Sequence, residues 1–244
     1  MLRRLCLLGL TAAALFAVSG FCLHNGYIQC NHPDRDRFPL RGVDVSHHQG
    51  LIDWAGLARQ DVAFAFIKAA EGGDFKDTRF QDNWREARKA GLAVGAYHFF
   101  LPLKSGREQA RNFIGSVPVQ ANALPPALDV ECSVVPPGPK REAIRDRIRE
   151  CLALLEAHYG KVPAIYTTYE AHEAYLRRDF DRHPLWIRSV FTFPDPKPLG
   201  CDWLFWQYSS RGRLAGYSGR EPFIDLNVFN GTREDFARLL AGDS

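Results

Sequence analysis

"LDVEC", residues 128–132, ends an apolar run with two carboxylates, Asp129 and Glu131, two positions apart. Downstream, "SVVPPGP" (133–139) is a loop by composition. In a strand, residues i and i+2 share a face, with Cα atoms roughly 6–7 Å apart. Both side chains therefore project together from a strand's end, and like charges held that close disfavour joint ionisation.

Seven further stretches read as strands. They are "GVDVS" (42–46), "VAFAFIKAA" (62–70), "LAVGAYHFF" (92–100), "VPAIYTT" (162–168), "PLWIRSV" (184–190), "WLFWQYS" (203–209) and "FIDLNVF" (223–229). Helical patterns separate the earlier ones. A short helix follows Asp53. "DTRFQDNWREARKAG" (77–91) carries Phe80, Trp84 and Ala87 on one face, and "SGREQARNFIG" (105–115) opens with a capping box of Ser105 and Glu108. "KREAIRDRIRECLALLEAHYG" (140–160) places Ile144, Ile148, Cys151, Leu152 and Leu155 on one stripe, so Cys151 is expected to be a buried thiol. Between the later strands the helices shorten or disappear.

Strands alternating with helices predict an α/β fold, a parallel (β/α) TIM-like barrel of eight strands with reduced or missing later helices. The composition, 46% hydrophobic and 24% charged over 244 residues, supplies one substantial core. A net charge of +3, spread along the chain, gives no reason to expect a nucleic-acid partner.

The N-terminus is expected to direct export. Arg3 and Arg4 precede an uncharged apolar run from Leu5 to Leu23. Ala17 and Ser19 match the small residues of a signal-peptidase site, yet the run is also about as long as a bilayer requires. Residues 1–23 are therefore a signal peptide or a membrane anchor. The body is expected to lie outside the cytoplasm, periplasmic or extracellular, attached to the inner membrane if residues 5–23 remain. Residues 24–41 read as a linker and 42–244 as the folded domain. Cys132, Cys151 and Cys201 are an odd number in that body, which argues against a dense disulfide framework.

In a (β/α) barrel, polar residues at the strands' C-terminal ends face the active site. Asp44, Glu71, Tyr97, Tyr166, Gln207, Tyr208 and Asp225 all stand near such ends, with Asp129 and Glu131. Carboxylates interleaved with aromatics suit a carbohydrate: acids move protons, and flat rings stack on sugar faces. His47 and His48 resemble a metal pair, but neighbours in a strand or turn point apart, so they are read as hydrogen-bonding residues around Asp44. No metal or cofactor is expected.

These segments, in this order, resemble the glycoside hydrolase family 25 muramidases, the Chalaropsis-type lysozymes, over about residues 41–240. "GVDVSHHQGLIDW", "FIKAAEGG", "GAYHFF", "LDVE", "AIYTTY", "LWI" and "FWQYSS…IDLNVF" carry the likeness. Ala70 stands where the family commonly has threonine. Arg188 and Val190 stand where it usually shows alanine and an aromatic residue. The resemblance implies cleavage of the β-1,4 bond between N-acetylmuramic acid and N-acetylglucosamine in the glycan strands of peptidoglycan.

Resemblance and physics together assign Glu131 as general acid, its proton retained through the nearby Asp129 and Asp44. Asp129 is expected to orient the substrate's acetamido group as an internal nucleophile, with Asp44 as the alternative nucleophile or stabiliser. Glu71 and Asp225 are supporting acids. Tyr97, Tyr166, Trp206, Gln207 and Tyr208 are candidates for sugar binding, although Trp206 and Tyr208 also suit core positions. Two other functions fit the same residues: a peptidoglycan-binding module without turnover, and a hydrolase of a related N-acetylated glycan such as chitin.

Overall fold

The computed structural model describes residues 15–29, 31–131 and 138–242. The strands are β1 (Arg41–Val45), β2 (Phe64–Glu71), β3 (Phe75–Lys76), β4 (Ala93–Phe99), β5 (Ala127–Val130), β6 (Ala164–Thr167), β7 (Leu185–Arg188), β8 (Phe205–Gly212) and β9 (Ile224–Phe229). Among the described residues they form one sheet in the order β1-β9-β8-β7-β6-β5-β4-β2-β3, and β1 pairs back to β2. Eight strands thus close an irregular TIM-like barrel, and the two-residue β3 is an antiparallel appendage on β2.

The expectation of an all-parallel barrel needs one correction. β9 runs antiparallel to both β8 and β1. Between β8 and β9 the chain has no helix to carry it back across the barrel, so the strand returns in the opposite direction.

The interior is dominated by rings. Phe64 and Phe66 point inward from β2 and pack with Trp186, Phe205, Phe229 and Phe236. Phe66 stacks on Trp186 with centroids 4.3 Å apart. Glycines on the flanking strands give these rings room. Gly42 pairs with Phe64, and Gly95 pairs with Phe66. A Cβ at either glycine would meet the phenylalanine ring at 2.3 or 2.5 Å.

Helices cover the other face of the early strands: α1 (Trp54–Ala58), α2 (Phe80–Lys89), α3 (Gly106–Ile114) and α4 (Pro139–Tyr159). The predicted stripe on α4 is buried throughout, Cys151 included, and burial pushes its thiol up from the ordinary value. At the N-terminus of α3, Ser105 Oγ accepts from the Glu108 amide. After β6 the cover shrinks to short pieces, α5 (Tyr169–Ala171) and α6 (Pro196–Leu199), before α7 (Arg233–Ala241). There an aromatic cluster of Phe38, Trp203, Trp206 and Tyr208 with Ile187 and Val228 seals the barrel.

The expected linker contributes to that seal. Phe38 and Leu40 are buried, so packing against the barrel begins before residue 42. Residues 15–24 are helical and expose Leu15, Phe16, Val18 and Phe21. No helix among the described residues is long and apolar enough to cross a membrane. Residues 1–14 of the expected export segment, Cys30, Cys132 and most of the loop after Glu131 lie outside the described residues. Among those described, Cys22, Cys151 and Cys201 are free thiols.

The glycine–phenylalanine pairs yield a stability prediction. Gly95→Ala forces a methyl group against the Phe66 ring and the Leu124 Cβ, both buried. Overpacking of this kind costs about 1–3 kcal/mol. Urea unfolding should show the lower midpoint with an unchanged slope; an unchanged midpoint would contradict the packing account.

Candidate active site

A cleft of about 200 Å³ opens at the C-terminal ends of the parallel strands. Asp44, Ser46, His48, Lys68, Tyr97, Phe99, Asp129, Glu131, Tyr166, Trp186, Gln207 and Asp225 line it. The closed sheet brings together residues 181 positions apart in sequence, Asp44 and Asp225, because they are directly opposed in the β1–β9 ladder.

Asp44 is the deepest anchor. Gln207 Nε2 and Asn227 Nδ2 both donate to its Oδ2, at 2.9 and 2.7 Å. Trp186 Nε1, which can only donate, gives its proton to Asn227 Oδ1 at 2.8 Å. That bond fixes the Asn227 amide with its NH₂ toward Asp44. On the other side Tyr166 donates to Gln207 Oε1 at 2.9 Å. Both amides therefore present N–H groups to one oxygen, which must act as an acceptor.

Burial raises the Asp44 carboxyl, while hydrogen bonds from Gln207, Asn227 and Asp225 oppose that rise, as does the Arg188 charge. Burial also raises Asp225 well above the ordinary range, and Asp44 adds to it through both charge and their hydrogen bond. The two amide donors on Asp44 favour its ionised form, and the proximity of Asp44 favours a proton on Asp225. Asp129 is likewise raised well above the ordinary value, first by burial, then by Glu131 and Asp44. Its Oδ1 is buried without a hydrogen-bond partner in the structure. Glu131, half-buried at the cleft mouth, is raised by burial and by Asp44, with Arg188 opposing.

Two sugar-binding expectations are corrected. Trp206 and Tyr208 alternate with Phe205 and Gln207 along β8, and the latter two face inward. Trp206 is fully buried in the outer cluster, its Nε1 donating to the Ser189 carbonyl. Tyr208 accepts from Arg41 at 3.2 Å in the same layer. The indole in the cleft is Trp186, which alternation along "LWIR" with the inward Arg188 would have marked.

Tyr97, Tyr166, Gln207, Asp44, Asp129, Glu131 and Asp225 do converge. Glu71 stands outside the lining and pairs with Lys68 Nζ at 2.7 Å. Lys68 also lies over the Phe99 and Phe75 rings, 5.0 and 5.6 Å from their centroids.

The histidines also differ from expectation. They occupy a 3₁₀ turn after β1 and do not point apart: their rings lie together with centroids 4.0 Å apart. His47 pairs with buried Asp77, at 2.9 Å from its amide and 2.8 Å from Nδ1. His48 lines the cleft. Among the described residues no group of three or more His, Cys, Asp and Glu side chains is arranged to hold a metal ion.

The family model "Glycosyl hydrolases family 25" matches residues 43–217. The chain belongs to this family of lysozyme-type glycoside hydrolases. It is 36% identical over 212 residues to the protein YegX of Escherichia coli K12, covering 84% of this chain and 75% of that one. Lysozyme M1 of Streptomyces globisporus is 36% identical over 220 residues, covering 84% and 72%. Among solved structures, a family 25 glycosyl hydrolase from Bacillus anthracis superimposes with a TM-score of 0.79 at 43% identity, over 86% of this chain and 97% of that one. The lysozyme of Streptomyces coelicolor gives 0.75 at 32%, over 84% and 98%.

The carboxylate cluster costs stability in a pH-dependent way. Asp44, Asp129 and Asp225 hold protons more tightly folded than unfolded, so stability falls as pH rises from the ordinary carboxylate range through the raised folded values. Asp225→Asn keeps a donor toward Asp44 and removes one such group. It should raise the unfolding free energy at neutral pH by about 0.5–2 kcal/mol, a gain that shrinks as pH falls toward the ordinary Asp value of 3.8. Urea titrations at both pH values test this; a variant less stable than wild type at neutral pH would contradict it.

Proposed function

We propose that the protein is a muramidase, cleaving the β-1,4 bond between N-acetylmuramic acid and N-acetylglucosamine in peptidoglycan, with Glu131 as general acid and the substrate's acetamide as nucleophile. The observation that carries the reading is the unpartnered, buried Asp129 Oδ1 beside Glu131. A buried acceptor without a protein donor takes one from water or from a ligand. An acetamide N–H of the sugar is such a donor.

The proton inventory supports the roles. Burial and the Asp44 charge raise the Glu131 carboxyl, which suits a residue that must carry a proton. An acetamide N–H on Asp129 favours that residue's ionised form, and the resulting negative charge further lifts its neighbour Glu131. Glu131 then gives its proton to the leaving oxygen as the C1–O bond breaks. The acetamide oxygen bonds to C1 and forms an oxazolinium ion, whose positive charge Asp129 stabilises. Glu131, now ionised, accepts a proton from the water that reopens the ring at C1. Asp44, charged and held by two amides, stabilises the cationic transition state from below.

Glu131→Gln keeps the shape and removes the transferable proton. Turnover of purified peptidoglycan should fall by about 10²–10⁴-fold, while thermal stability stays near wild type. Released muropeptides, analysed by mass at their reducing ends with chitin digested in parallel, provide the readout. Activity within a few-fold of wild type would move the acid elsewhere. Chitin cleaved in preference to peptidoglycan would replace the substrate.

A further inference from the structure

Arg188 is a cation beside the cleft, just beyond the residues that line it. It ends β7 two residues beyond Trp186, on the same inward face, and lies in register with Gln207 of β8. The residue is half-buried, and its guanidinium makes no hydrogen bond, and no ion pair shorter than 4.0 Å, with any described residue. It is close enough to Asp44, Glu131 and Asp225 for its charge to act on all three. Lys68, which lines the cleft, is occupied by Glu71 and two rings.

Asp44 faces this cleft as a carboxylate held by two amides, so an acidic substituent on the substrate needs a cation beside it. A guanidinium is the group best shaped to hold a carboxylate, through two parallel N–H bonds. An N-acetylmuramic acid residue carries a carboxylate of its own only where the stem peptide is gone; an attached peptide converts that lactyl group into an amide.

We propose that Arg188 recognises the free lactyl carboxylate of peptide-free N-acetylmuramic acid, so that the preferred substrate is a glycan strand already stripped of its peptides. The inference rests on the muramidase reading and deepens it. The reaction that supplies this substrate is hydrolysis of the amide bond between the lactyl group and the first residue of the peptide.

The test compares three soluble substrates: peptide-free glycan strands, the same strands with lactyl carboxylates converted to methylamides, and strands still bearing peptides. For the wild type, kcat/KM on the free acid should exceed that on the methylamide about tenfold or more. In Arg188→Ala that ratio should fall to near one, and Arg188→Lys should restore part of it. The ratio cancels any change that loss of the guanidinium makes to the proton affinity of Glu131. Matched thermal midpoints establish that both variants are folded.

A wild-type ratio near one would overturn the inference while leaving the muramidase intact. So would a ratio that survives in Arg188→Ala. Preference for peptide-bearing strands, abolished in Arg188→Ala, would assign the arginine to a stem-peptide carboxylate and reject the lactyl group. If the wild type cleaves none of the three substrates, the muramidase reading falls and the inference falls with it.

Discussion

A buried negative charge on Asp44 is the constraint around which the rest of the site is arranged. A carboxylate removed from water remains charged only where fixed donors replace its hydration. Here two side-chain amides converge on one oxygen. Each amide is oriented by a donor behind it, Trp186 for Asn227 and Tyr166 for Gln207. Reversal of β9 makes this possible, since it places Asn227 and Asp225 on the strand that flanks Asp44. The chain of hydrogen bonds then runs from the barrel floor to Tyr166, beside Glu131. The protonation of the cleft mouth is thereby tied to the packing of the core.

That core is stiff for a reason visible in individual contacts. Phe66 is pressed between Gly95 and the Trp186 ring, so the indole that orients Asn227 cannot drift. On one side, α2 to α4 brace the strands that carry Lys68, Tyr97 and Asp129. On the other, the aromatic cluster around Trp206 does the work of the missing helices. Groups carried on strand ends in such a frame are better preorganised than groups on loops. The cost is a set of carboxyls with raised proton affinity, a local sacrifice of stability often found where function requires it.

Much of this was legible in the sequence. All eight barrel strands were marked by short apolar runs, and the cleft carboxylates by their position at strand ends. What was not legible came from two sources. Alternation along β8 admits two phases, and sequence could not say whether Trp206 or its neighbours faced inward; burial of Phe38 and Trp203 against Trp206 decides it. The direction of β9 depends on the connection before it rather than on its own residues. Asn227 was also passed over, although it sits two residues after Asp225 in "IDLNV" and therefore on the same face. The histidine pair was misjudged because neighbours in a turn were expected to point apart, whereas this 3₁₀ turn brings their rings together.

The central claim is that Glu131 supplies the proton while the substrate's own acetamide attacks C1 above Asp129. Attack by the acetamide inverts the anomeric carbon, and water opening the oxazolinium ion inverts it again. Proton NMR of the reducing end in the first minutes of peptidoglycan digestion, before mutarotation, reads the outcome directly. The account predicts the β anomer as first product, with configuration retained. An α anomer formed first would mean a single direct attack by water, and would contradict it.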